Sequence, residues 1–127
     1  MKRTLIHNAT IVNEGQPTQG SVVIENGRIA EVLTNWKPLS APCEEVIDAT
    51  GCYLLPGIID DHVHFRDPGL THKADILTES SAAAAGGVTS IMDMPNTNPL
   101  TVTLDALNSK FDLLNEKCIV NHSCYFG

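Results

Sequence analysis

With 127 residues, 43% of them hydrophobic and 18% charged, the chain can bury one ordinary core and is too apolar to be disordered. Its net charge of −7 argues against a nucleic-acid surface and gives no reason to expect an anionic membrane as partner. A small anionic substrate stays open, because a single arginine makes a local positive site.

Residues 4–12, TLIHNATIV, are rich in strand formers. The start MKRTL is basic, but His7 and Asn8 interrupt any apolar run, so no signal peptide is expected. No run approaches the length of a membrane span. Residues 22–24 and 29–33 flank Asn26-Gly27, a strong hairpin signal because both positions tolerate positive φ. TNWKPLSAPCEE, residues 34–45, reads as a proline-containing loop. EVIDATGCYLLPG then predicts two short strands around Thr50-Gly51. Residues 1–55 are therefore expected to be all β.

The pattern changes after Pro56-Gly57. Residues 58–65 predict a strand, expected to be buried on both faces as the opening of a βαβ series. RDPGLTHK is a loop. DILTESSAAAA, residues 75–85, predicts a helix with Asp75 near its positive end and Gly86-Gly87 beyond its last turn. The four alanines are expected to let that helix lie close to a sheet. Residues 88–94 predict a second strand and PNTNP a loop. A second helix follows over about 103–115, with Leu104, Leu107, Phe111 and Leu114 on one stripe. Residues 118–126 predict a third strand. Strands alternating with helices imply a parallel sheet with right-handed crossovers. The expected fold class is α/β, with a β-rich portion at 1–55 and a βαβαβ series at 56–127.

Cys43, Cys52, Cys118 and Cys124 form no C-x-x-C pair, so the expectation is free thiols in a reducing, cytoplasmic setting. Asn8-Ala9-Thr10 and Asn121-His122-Ser123 match the glycosylation pattern, which carries no meaning there.

The chemistry concentrates in PGIIDDHVHFRDPG, residues 56–69, where Asp60, His62, His64 and Arg66 stand at every second position. On a regular strand they share one face. Three readings compete: a solvated face of an edge strand, a histidine pair satisfied in a polar core, and a metal site at the C-terminal end of a parallel strand. Context favours the third, because βα loops converge at that end. His62 and His64 then offer neutral ring nitrogens to one cation. Asp60, one pleat deeper, reads as a supporting partner rather than a ligand. Arg66 offers a planar fork to a substrate carboxylate. Asn96 in MPNTNP brings a donor and an acceptor towards the same cavity, although turn chemistry alone also accounts for it. Two histidines are too few for zinc, so further ligands must come from elsewhere.

Residues 56–99 closely resemble the cyclic amidohydrolases, and H-x-H-x-R with DPGLTHK and MPNTNP resembles the type-I dihydroorotases among them. The resemblance implies interconversion of N-carbamoyl-L-aspartate and L-dihydroorotate in pyrimidine biosynthesis. It implies a small β-sandwich, of which 1–55 is a portion, and a (β/α)8 barrel carrying one or two zinc ions, of which 56–127 is the N-terminal part. His62 and His64 match its first metal ligands, and Arg66 and Asn96 its substrate carboxylate binders. The zinc would serve as a Lewis acid and lower the pKa of its water. Relatives acting on hydantoins, dihydropyrimidines or allantoin lack an arginine two residues after the second histidine. A barrel takes about 250 residues, so the chain is expected to be an incomplete piece, inactive alone. The remaining ligands and general base match nothing here, no catalytic residue is assigned, and His122 reads as a strand residue. The resemblance also admits a homo-oligomer, or association with a carbamoyltransferase as a metal-free structural partner. A complete small metal-binding or sensory domain is the remaining alternative, set against an open parallel sheet with uncovered edges.

Overall fold

Residues 2–34 and 37–127 are described by the computed structural model. Asn35 and Trp36 of the expected 34–45 loop lie outside them. The chain divides into two units, Met1–Pro56 and Gly57–Gly127.

The first unit contains β1 (Arg3–Asn13), β2 (Gln16–Glu25), β3 (Arg28–Thr34), β4 (Glu45–Asp48) and β5 (Tyr53–Leu54). The sheet order is β3-β2-β1-β4, and β5 also pairs with β1. β1 pairs with β2 and β2 with β3 antiparallel, while β4 and β5 lie parallel to β1. The hairpin at Asn26-Gly27 forms as expected, with φ of 51° and 74°. A second hairpin turns at Glu14-Gly15, with φ of 51° and 73°, so β2 starts at Gln16 rather than at residue 22. Glutamate is a poor left-handed residue and Pro17 to Gly20 carry no apolar alternation, which is why the early half of β2 was not anticipated. Leu5, Val23 and Leu33 form the core of this sheet, with Cys43 against it. Arg3 ties three strands by pairing with Glu25 at 3.2 Å and Glu31 at 2.5 Å.

The second unit contains β6 (Ile58–Val63), α1 (Ile76–Ala85), β7 (Val88–Asp93), α2 (Leu104–Lys117) and β8 (Asn121–Cys124). The strands are all parallel in the order β6-β7-β8. Both helices start on side-chain caps: Asp75 accepts from the Thr78 N–H at 3.0 Å, and Thr103 from the Ala106 N–H at 3.2 Å. The Gly86 N–H closes α1 on the carbonyls of Ala82 and Ala83, and Gly87 follows at φ 87°. Phe65, Ile76, Ile91 and Leu114 form the core.

Several expectations change, and the third strand is shorter than expected, Asn121–Cys124 rather than 118–126. β6 is not buried on both faces, because it is an edge strand; Ile58 and Ile59 are 54% and 69% exposed. It also ends at Val63, so His64 and Arg66 lie beyond the strand. In α1 the buried residues are Ile76 and Ser80, while Ala82, Ala84 and Ala85 face outwards. In α2 the expected stripe fails at its first position: Leu104 is 71% exposed, while Lys110 and Leu114 are fully covered. A lysine occupies that stripe because it meets a carboxylate there, as described next.

Candidate functional site

The register between β6 and β7 pairs Asp60 with Ile91 and Val63 with Asp93, which places one extra residue on β6. Such a bulge breaks strict alternation and turns the side chains around it. Asp60 supports the kink: its Oδ1 accepts the backbone N–H of His62 at 3.1 Å, so it acts on His62 through the main chain rather than the ring. The His62 and His64 rings come out side by side, with centroids 5.2 Å apart and planes inclined by 61°. Both are exposed.

Asn96 is brought to the same place. Nδ1 of His64 lies 2.9 Å from Oδ1 of Asn96. A carbonyl oxygen only accepts, so His64 donates from Nδ1 and, in the neutral ring, carries its free lone pair on Nε2. The loop holding Asn96 is fastened from inside. The buried Thr97 donates its hydroxyl to the Pro99 carbonyl at 2.8 Å, and the Thr101 N–H reaches the Pro95 carbonyl at 3.0 Å. It is also fastened to the loop after β6, through the Asn98 N–H and the Pro68 carbonyl at 3.0 Å. That approach requires Gly69: a Cβ there would lie 2.0 Å from the Asn98 carbonyl oxygen, and its φ is +84°.

Arg66 sits in the same loop with a left-handed backbone, φ 65°. Its carbonyl accepts the Leu70 N–H at 3.0 Å. The structure thus joins His62, His64 and Asn96, and among the described residues the Arg66 side chain, in the loop after β6, has no ion-pair partner. Among the described residues no group of three or more histidine, cysteine or carboxylate side chains is placed to hold a metal ion. No helix there is long and apolar enough to cross a membrane.

Sequence reasoning missed the groups beneath this surface. Phe65 inserts its ring into the core and gives its N–H to Oδ1 of Asp93 at 2.9 Å. Asp93 is fully buried, with the Lys110 ammonium 2.9 Å from its Oδ2. That approach is off the line of a hydrogen bond; the aligned bond from Lys110 goes to the Met94 carbonyl at 2.6 Å. Asp67, 4% exposed, pairs with Lys117 at 2.9 Å, and this hydrogen bond raises the Lys117 pKa above its ordinary value. Cys124 stands opposite Asp93 on β8, where burial pushes its thiol up. One signal was available: Lys110 falls between Leu107 and Leu114 at helical spacing, inside an apolar stripe.

The dihydro-orotase-like family model matches residues 51–126. The dihydroorotase of Enterococcus faecalis is 40% identical over 119 residues, covering 93% of this chain and 27% of that protein. The dihydroorotase of Aquifex aeolicus is 43% identical over 101 residues, covering 78% of this chain and 23% of its own. Among solved structures, the L-hydantoinase (dihydropyrimidinase) from Arthrobacter aurescens matches with a TM-score of 0.91 at 30% identity, covering 100% of this chain and 28% of that one. The chain spans about a quarter of the length of these relatives. The matched stretch takes in the paired imidazoles, the loop that fixes them and the ion pairs below, and on that agreement the chain belongs to the dihydro-orotase-like family.

Proposed function

We propose that this chain is part of a zinc-dependent cyclic amide hydrolase of the cytoplasm that interconverts N-carbamoyl-L-aspartate and L-dihydroorotate in pyrimidine biosynthesis. The observation that carries the reading is the His64–Asn96 hydrogen bond beside His62, which presents Nε2 of His64 next to a second imidazole 5.2 Å away. Two adjacent neutral imidazoles, one held by its other nitrogen, are the donor set that zinc takes. Zinc, when bound, supplies a Lewis acid and a water of lowered pKa. The remaining ligands and the general base find no match in residues 1–127, so that chain by itself is proposed to hydrolyse nothing.

The chain's own residues account for substrate choice. Arg66 grips a substrate carboxylate through two parallel N–H donors. Asn96 spends its carbonyl oxygen on His64 and keeps its amide N–H groups for the same carboxylate. An acidic ring such as dihydroorotate uses this arginine, whereas an uncharged hydantoin does not. The same reading takes 1–55 as part of a small β-sandwich and 56–127 as the opening of a (β/α)8 barrel, whose following strands would continue from β8 and whose closing strand would cover the exposed edge of β6. A hydantoinase is the second reading, favoured by the match to the Arthrobacter aurescens enzyme.

Arg66→Met in the intact protein separates them. The KM for dihydroorotate should rise by at least about tenfold, consistent with loss of a charge-assisted pair, while turnover of an uncharged hydantoin stays as it was. An unchanged KM for dihydroorotate, with hydantoin the better substrate, favours the hydantoinase.

A further inference from the structure

Helix α2 carries Lys110 and Lys117 seven residues apart, two turns along one face. Each ends on a carboxylate that the fold has withdrawn from water: Lys110 on Asp93 and Lys117 on Asp67, both at 2.9 Å. Both carboxylates bear on one short run, residues 64–67. Asp93 accepts the N–H of Phe65, and Asp67 is the last residue of the run. Buried ion pairs contribute little net stability over apolar packing, so their presence beneath a candidate site asks for another reason. The run also holds Arg66 at φ 65°, an uncommon conformation for a residue with a Cβ.

We infer that α2 positions the His64–Asp67 run through these two carboxylates, with Asp93 as the acceptor that orients Phe65 and Lys110 as its countercharge. Phe65 lies between His64 and Arg66. Its N–H sets the peptide plane that follows His64, and its ring anchors the run in the core with Ile76, Ile91 and Leu114. Asp67, held by Lys117, fixes the other flank of Arg66. Asp93 and Lys110 are positioning residues; neither hydrogen-bonds to the imidazoles or the guanidinium. The consequence for binding rests on the roles proposed for His64 and Arg66; the geometry does not.

Two double variants of the intact protein, labelled uniformly with nitrogen-15 and carbon-13, test the inference. Asp93→Leu with Lys110→Met removes acceptor and charge together, leaving no unpaired ion. Asp93→Asn with Lys110→Met removes both charges but keeps an oxygen for the Phe65 N–H. In the leucine pair, exchange of the Phe65 amide should quicken, the His64 ring should populate both tautomers, and Zn2+ affinity in chelator competition should fall by about tenfold or more, the scale typical of lost supporting contacts. The asparagine pair should keep all three close to the unmodified protein. Equal behaviour of the two pairs, whether both lose or both keep these properties, overturns the inference. A measurement on the unmodified protein guards against loss of folding: a scalar coupling across the hydrogen bond from the Phe65 amide nitrogen to the Asp93 carboxyl carbon is expected, and its absence also overturns it. Should the unmodified protein take up no Zn2+, the hydrolase reading fails, while amide exchange and the His64 tautomer still decide the positioning role.

Discussion

His62 and His64 meet through a departure from regular strand geometry, although strict alternation is what singled them out. The extra residue between Asp60 and Val63, and the end of β6 at Val63, mean that the rings are aimed by a bulge, a backbone hydrogen bond from Asp60 and an amide from the neighbouring loop. The residue types were legible in H-x-H-x-R; their aim was not, since a bulge has no reliable mark in a single sequence. If His62 is the metal ligand proposed above, His62→Ala should abolish zinc uptake and turnover of the intact protein together, and a zinc-loaded, active variant refutes that proposal. Lys110 presents the opposite case, a residue whose type suggested nothing until its neighbour was known. Lys110→Met leaves the buried Asp93 carboxylate without its counterion, which costs about 3–5 kcal/mol when a buried pair is broken from one side. A lower denaturation midpoint in urea at constant m is the expected readout, and an unchanged midpoint shows the pair to be dispensable.

At the level of elements, helix ends were more legible than helix faces. Asp75 and Thr103, expected as the first residues of the two helices, stand just before α1 and α2 and cap them with side-chain oxygens. Thr103→Ala should cost about 1 kcal/mol, read as a shifted urea midpoint, because the Ala106 N–H loses its partner. The expected stripe of α2 holds at Leu107, Phe111 and Leu114 and fails at Leu104, for a physical reason. Hydrophobicity alone puts Leu104 inside, but the buried Asp93 at the end of β7 recruits Lys110 and turns Leu104 outwards. Similarly, the Asn26-Gly27 hairpin announced itself while Glu14-Gly15 did not. Both turns use positive φ at two positions, but only asparagine and glycine adopt it cheaply enough to be a signal.

Across the whole molecule, acid is the expected weak point. Five carboxylates lie below their ordinary pKa. Hydrogen bonds do this first in every case: from Ser40 to Glu31, from the Arg3 N–H to Glu44, from Lys2 to Glu45, from Thr50 to Asp48 and from the Thr78 N–H to Asp75. A depressed folded pKa means the unfolded chain takes up protons first as pH falls. The stabilisation is therefore fully present above the unfolded carboxylate range of about 4, and is lost as pH drops through the lower folded values. Lys117 has the opposite sign: raised by its bond to Asp67, it stabilises below the unfolded lysine pKa of about 10.4 and ceases to do so as pH rises through its folded value. Thermal midpoints should hold between about pH 7 and pH 5 and decline below about pH 4; a midpoint that stays level to about pH 2 contradicts the assignment. Four of the five groups lie in the unit Met1–Pro56, so that unit should lose stability first. What the amino-acid order determined by itself is local or periodic: the Asn26-Gly27 turn, the change to alternating strands and helices after Pro56-Gly57, the approximate helix starts and the Gly86-Gly87 stop, and which side chains form the candidate site. Tertiary structure alone decided which nitrogen of His64 is free, why Phe65 is held, and that two lysines of α2 reach beneath the His64–Asp67 run. Those outcomes depend on partners 16 to 50 residues apart meeting within hydrogen-bond reach. Strand register and loop packing set such distances, and a one-dimensional pattern does not carry them.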